Sequence, residues 1–174
     1  MRYAGLIEND FANGEGVCVT VFLQGCPHHC EGCHNPETWD FNGGNEIDEN
    51  EFLSKIVYAI SKNGIQRNLS ISGGDPLCNN NIPIVKKIIE TVKEKYPTIK
   101  IFCWTGYEYI DLFSEEKYSC MNSTSCLYYI LNNIDVLITG PFIQSKRDIT
   151  LHLRGSSNQE IWRRIDNRWI LDKK

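Results

Sequence analysis

No apolar run in this 174-residue sequence approaches the roughly 18 to 20 residues needed to cross a bilayer. The opening stretch, Met1-Arg2-Tyr3-Ala4-Gly5-Leu6-Ile7-Glu8-Asn9-Asp10, lacks the apolar centre of a signal peptide. These two absences predict a cytoplasmic protein with no membrane contact. Basic clusters are equally scarce. No basic run exceeds a pair: Lys86-Lys87, Lys146-Arg147, Arg163-Arg164 and the terminal Lys173-Lys174 are scattered along a chain of net charge −4. A nucleic-acid partner, which requires a basic stripe, is therefore not expected. Internal repeats and low-complexity tracts are missing too. With 41% hydrophobic and 23% charged residues, disorder as the main state is excluded. The length suits one domain, here taken to span residues 1–174.

Cysteine is what the chain has in excess. There are eight, at 18, 26, 30, 33, 78, 103, 120 and 126. Without an export signal, clustered cysteines point to metal binding or redox chemistry rather than to disulfides. Three of them share the segment Gly25-Cys26-Pro27-His28-His29-Cys30-Glu31-Gly32-Cys33-His34, with spacing C-x3-C-x2-C. Three thiolates on one loop can converge on one metal centre. A closed zinc site or a closed iron–sulfur cube takes four ligands, whereas a cube held by three cysteines leaves one iron open. The competing reading is a zinc site completed by His28, His29 or His34.

Hydrophobic patterning places this loop. Residues 16–24 are β-branched and apolar and read as a strand that ends at Gly25. Asp48 and Glu51 resemble a capping box, after which Phe52, Ile56, Val57 and Ile60 share a helical face as far as Gly64. Further strands are predicted at 69–72, 100–104 and 135–139, and Val85, Ile88, Ile89 and Val92 mark a long second helix before Pro97. A short helix follows to about Phe113. Residues 114–126 read as an inserted loop, and 126–132 as one or two helical turns. The segments 159–164 and 168–171 read as strands or a short hairpin. Alternating strands and helices predict an α/β fold with a parallel sheet, whose ligands sit beyond the carboxyl ends of the strands. The unusual motifs at 25–36, 72–76, 104–107 and 139–142 all fall at that end.

Outside the cluster the residues admit two readings each. Gly73-Gly74-Asp75-Pro76 suits a plain turn, or a close backbone approach to a ligand whose ammonium group Asp75 and strand-end carbonyls accept. Trp104-Thr105-Gly106-Tyr107 either line a nucleoside pocket or pack the mouth of the sheet. Cys18 and Cys103, inside apolar strands, read as core, and His152, alone, as structural. Cys78 is ambiguous. Cys120 and Cys126 are incidental, a regulatory disulfide, or part of another metal site.

The cysteine spacing after a first strand resembles the radical S-adenosylmethionine superfamily. The string from Gly25 through His34-Asn35-Pro36-Glu37-Thr38-Trp39 is similar to one branch of it, the activating proteins of anaerobic ribonucleoside-triphosphate reductases. So are Ser72-Gly73-Gly74-Asp75-Pro76-Leu77, Trp104-Thr105-Gly106-Tyr107, the block from Asp135 to Phe142, and Arg154-Gly155-Ser156-Ser157-Asn158-Gln159, in the same order. The resemblance covers about residues 14–160. It implies an open partial parallel β/α barrel. It implies that Cys26, Cys30 and Cys33 bind one [4Fe–4S] cluster per chain. S-adenosyl-L-methionine would be bound by Gly32, Cys33, His34, Gly73, Gly74 and Asp75, with no catalytic side chain beyond the cluster. The implied chemistry is reductive cleavage of S-adenosylmethionine to a 5′-deoxyadenosyl radical, which makes a glycyl radical on the reductase. The implied partners are that glycyl-radical subunit and a flavodoxin-like electron donor. Three positions depart from the pattern: Gly32 where an aromatic residue is usual, Thr139 where an acid is expected, and Glu160 where a base is expected. With Gly32 in place, His34 becomes the candidate ring against adenine. Activation of a formate-lyase type of glycyl-radical enzyme, a small-molecule radical enzyme, and a zinc-stabilised non-catalytic binding module are the alternatives.

Overall fold

The structure is a computed structural model that describes residues 1–113 and 121–173, with the backbone alone at 121–124. Its strands are β1 (Arg2–Asp10), β2 (Cys18–Leu23), β3 (Asn45–Glu46), β4 (Asn68–Gly73), β5 (Ile101–Trp104), β6 (Val136–Thr139), β7 (Glu160–Ile165) and β8 (Arg168–Asp172). Its helices are α1 (Glu49–Ser61), α2 (Ile82–Lys95), the single turn α3 (Tyr109–Leu112) and α4 (Met121–Asn133). The strands form one sheet in the order β3-β1-β2-β4-β5-β6-β7-β8. β2, β4, β5 and β6 are mutually parallel, and antiparallel strands extend the sheet at both margins. The fold is thus mixed α/β, with a parallel centre in an open sheet.

Side chains alternate across each strand, and the two faces do different work. Val19, Val21, Leu23, Leu69, Ile71, Ile101, Cys103 and Leu137 join the main core with the apolar sides of α1, α2 and α4. On the other face Cys18, Phe102, Val136, Ile138 and Ile161 make a smaller cluster, against which Trp104 and Leu153 pack. Cys18 and Cys103 are both fully buried, as core cysteines should be. α1 starts where the sequence predicts. The Asp48 carboxylate accepts from the N–H groups of Asn50 and Glu51 at 2.9 and 3.1 Å.

Two features differ from the sequence reading, and a third, the C-terminal hairpin, is one of the forms it offered. β1 carries no clean alternation, because its register with β2 shifts between Tyr3 and Gly5 and again between Ile7 and Asp10. Helix α4 begins inside the segment read as a loop. Leu127, Ile130 and Leu131 bury one of its sides, which outweighs the poor helix propensity of 122–125. The rest of that loop, with Cys120, lies outside the described residues. The C-terminal hairpin turns on Asp166 and Asn167, both at positive φ (48° and 61°), the geometry of a tight two-residue turn. No described helix is long and apolar enough to cross a membrane.

Replacing Asp48 with Ala should cost about 1 kcal/mol of stability, and Asp48→Asn much less, in urea unfolding of the metal-free protein.

Candidate active site

Because β2, β4, β5 and β6 run in parallel, the loops that follow them meet at one edge of the sheet. After β2 the chain turns at Gly25, whose φ of +96° few side-chain-bearing residues adopt. The loop then closes on its own stem. The Gly25 N–H donates to the Thr38 carbonyl at 2.8 Å, and Cys26 N–H to Trp39 at 3.2 Å. Under the stem the buried Gln24 amide donates to the carbonyls of Glu37 and Asp40 at 2.9 and 2.7 Å.

Cys26, Cys30 and Cys33 all sit half-buried on this loop and outside any disulfide. The Cys33 N–H donates to the Cys30 carbonyl at 3.1 Å, which winds the last two of the three cysteines into a turn. Backbone N–H groups face each sulfur: those of His28 and His29 at Cys26, that of Phe142 at Cys30, and that of Asn35 at Cys33, at 3.4 Å. Burial pushes the Cys26 thiol up to about 11 and raises that of Cys30 as well. Such thiols keep their protons at neutral pH until a metal displaces them. Among the described residues no three His, Cys, Asp or Glu side chains converge on a single-ion site. An iron–sulfur cube requires no such convergence, since each iron takes its own thiolate, and N–H groups aimed at sulfur are what its ligands use. The three thiols and the N–H groups facing them fit an iron–sulfur cluster.

Asp75 follows β4 and is 1% exposed. Its carboxylate accepts from Leu77 N–H at 2.8 Å, the Thr105 hydroxyl at 3.0 Å, Gly106 N–H at 2.9 Å and His28 Nε2 at 2.6 Å. A carboxylate offers about four lone-pair sites, and four donors occupy them. Asp75 was expected to receive a ligand's ammonium group, and it would do so only by giving up one of these donors. The carbonyls at the end of β4 are the remaining acceptors of that kind. The neighbouring glycines serve close packing. A Cβ on Gly73 would run into the backbone of Phe22 and Leu23, and one on Gly74 into the backbone of Gly25. Asn81, at the start of α2, makes no helix cap. Its side-chain amide donates instead to the carbonyls of Gly25 and Asp75, at 3.2 and 2.9 Å.

A cleft of about 470 Å³ opens beside Cys33, lined among others by His34, Ser72, Trp104, Phe142 and Arg154. Trp104 therefore faces the cleft, its indole N–H donating to the Leu153 carbonyl at 3.0 Å. Thr105, Gly106 and Tyr107 do not line it and pack around Asp75 and His28. His34 is exposed at the mouth, its ring 5.8 Å from that of Phe142. Gly32 has φ +73°, and the Gln144 carboxamide already fills the space of any Cβ there. A larger residue at that position would have to hold a left-handed backbone and displace the exposed Gln144 side chain.

The other two departures turn out to be one. Thr139 and Glu160 face each other in the β6–β7 register. Thr139 is fully buried, and Glu160 accepts from the Trp162 indole N–H at 3.0 Å. His28, Asn81 and Gln144 are the residues that the sequence reading missed in these roles. His28 carried a signal only as an alternative zinc ligand. Asn81, in a run of three asparagines, and Gln144 carried none.

The family described as a 4Fe-4S single cluster domain matches residues 12–162. The anaerobic ribonucleoside-triphosphate reductase-activating protein of Pasteurella multocida is 36% identical over 164 residues, 94% of this chain and 98% of that one. The protein of the same name from Escherichia coli K12 is 33% identical over 162 residues, 92% and 97% of the two chains. That of Enterobacteria phage T4 is 33% identical over 172 residues, 99% and 100%.

Gly74→Ala should destabilise the metal-free protein by about 1–3 kcal/mol in urea unfolding, because backbone on both sides must move to admit the methyl group.

Proposed function

The chain belongs to the family of anaerobic ribonucleoside-triphosphate reductase-activating proteins, and from that footing we propose how its residues divide the work. Cys26, Cys30 and Cys33 hold one [4Fe–4S] cluster. The cleft beside Cys33 receives S-adenosylmethionine, with the backbone of Gly32, Cys33 and His34 on one side and the strand-end carbonyls of Gly73 and Gly74 toward its amino group. When bound, the cluster supplies one electron to the sulfonium, so that methionine leaves and the resulting 5′-deoxyadenosyl radical takes a hydrogen atom from a glycine of the reductase. The observation that carries this reading is positional. A three-thiol loop springs from one parallel strand and opens on a cleft that two neighbouring parallel strands, through Ser72 and Trp104, also line.

The protein's own part is binding, orientation and exclusion of water. The N–H groups at the three sulfurs spread negative charge on the thiolates, one of the factors that set cluster potential. Trp104, Phe142 and Leu153 give the cleft its apolar wall. Two large apolar residues are exposed near the cleft. Phe11 is 74% exposed and adjoins the cleft-lining Ala12; Ile149 is 81% exposed, two residues from the cleft-lining Leu151. An apolar rim suits a macromolecular substrate whose glycine-bearing segment enters from outside. This reading takes residues 1–174 as one domain, and the parallel strands with α1, α2 and α4 on their outer face as an open partial barrel. A small flavodoxin-like protein is the electron donor, and the cytoplasm the compartment.

The test is anaerobic. The protein is reconstituted with iron and sulfide, reduced, and given S-adenosylmethionine. It should form 5′-deoxyadenosine, and Cys30→Ala should form none. A protein that retains zinc, takes up no iron and forms no 5′-deoxyadenosine would overturn the reading in favour of a binding module.

A further inference from the structure

The loop that carries the three thiols has a second anchor away from its stem. His28 lies two residues past Cys26, and its ring fills a socket built by the ends of β4 and β5. Nε2 meets the Asp75 carboxylate at 2.6 Å, and the ring stands edge-on to Tyr107 with centroids 4.6 Å apart. The third wall is Gly106, where even a Cβ would strike the imidazole. Among the described residues, His28 is the one side chain of 27–34 that hydrogen-bonds to the turn after β4, while the Cys30 sulfur meets the Phe142 N–H of the loop after β6. Its partner is no ordinary acceptor. Asp75 is fully buried and is itself pinned by Thr105, Gly106 and Leu77. Through that one carboxylate the thiol loop is keyed to two parallel strands.

We infer that His28 is a positioning residue, whose hydrogen bond to Asp75 sets where Cys26 and Cys30 stand against the strand ends. A hydrogen bond to a buried carboxylate is worth enough to govern a loop's opening equilibrium by an order of magnitude or more. The inference takes the cluster assignment as given, but half of its test is independent of the cluster.

That half is amide hydrogen exchange on the metal-free protein, comparing wild type with His28→Ala and His28→Gln. A glutamine amide nitrogen can reach the place of Nε2. The Cys26 and Cys33 amides, bonded to the Trp39 and Cys30 carbonyls, report on the loop, and those of Val21 and Ile71 on the sheet. In His28→Ala the loop amides should exchange about tenfold faster or more, with the sheet amides unmoved, and His28→Gln should recover most of the protection. Loop amides as slow as wild type in His28→Ala would overturn the inference. So would a glutamine variant as fast as the alanine one, or an acceleration shared equally by Val21 and Ile71. In the reconstituted protein the same variants should lose iron to a chelator in the same order. A wild-type protein that takes up no iron would instead fail the cluster assignment and leave the exchange result standing.

Discussion

Three segments of the active edge meet at one buried carboxylate. Asp75 draws donors from its own turn, from the end of β5 and from the cysteine loop, and is 1% exposed while doing so. A charge so buried is tolerable only when its partners are in place, and losing one leaves a desolvation cost of several kcal/mol partly unmet. The arrangement therefore behaves as a unit. Asn81 adds a neutral stitch between the Gly25 and Asp75 carbonyls, and Gly74 lets the two backbones approach closely enough for it. A loop with half-buried thiols, held at stem and tip, is a suitable seat for a cluster that must keep three ligands and leave a fourth position open.

Much of this was legible in the sequence, for physical reasons. β2 and β4 are buried on both faces, so they read as continuous apolar or small-residue runs. Asp48 and Glu51 announced the start of α1 because a cap is a contact between near neighbours in sequence. The convergence of four motifs followed once the strands were taken as parallel. What could not be read was whatever depends on distant partners. β1 is broken by two register shifts, and its antiparallel pairing leaves no alternation to find. The roles of Asn81 and Gln144 exist only because the fold sets them against Gly25 and Gly32. Asp75 was visible as a site residue, but its four donors come from three places in the chain, and only the assembled structure shows that they meet there.

The departures from the family pattern gain a physical account in the same way. At Gly32 the backbone needs positive φ and Gln144 occupies the side-chain space, so glycine there belongs to a local design that includes the loop after β6. Thr139 and Glu160, distant in sequence, stand opposite each other across β6 and β7. An acid–base pair expected at those positions is replaced as a pair. The bonding that remains runs along β7, where Glu160 accepts from Trp162 and Trp162 stacks on Tyr109 at 3.6 Å. Both changes leave the three thiols and the cleft intact.

The account rests on an iron of the cluster that the protein leaves free for S-adenosylmethionine. Electron paramagnetic resonance of the reduced, reconstituted protein, recorded before and after S-adenosylmethionine is added, tests this most directly. A one-electron-reduced cluster signal that changes shape on addition, because the amino acid end of the ligand has taken the open iron, is the predicted result. A cluster signal that S-adenosylmethionine leaves unaltered would contradict it.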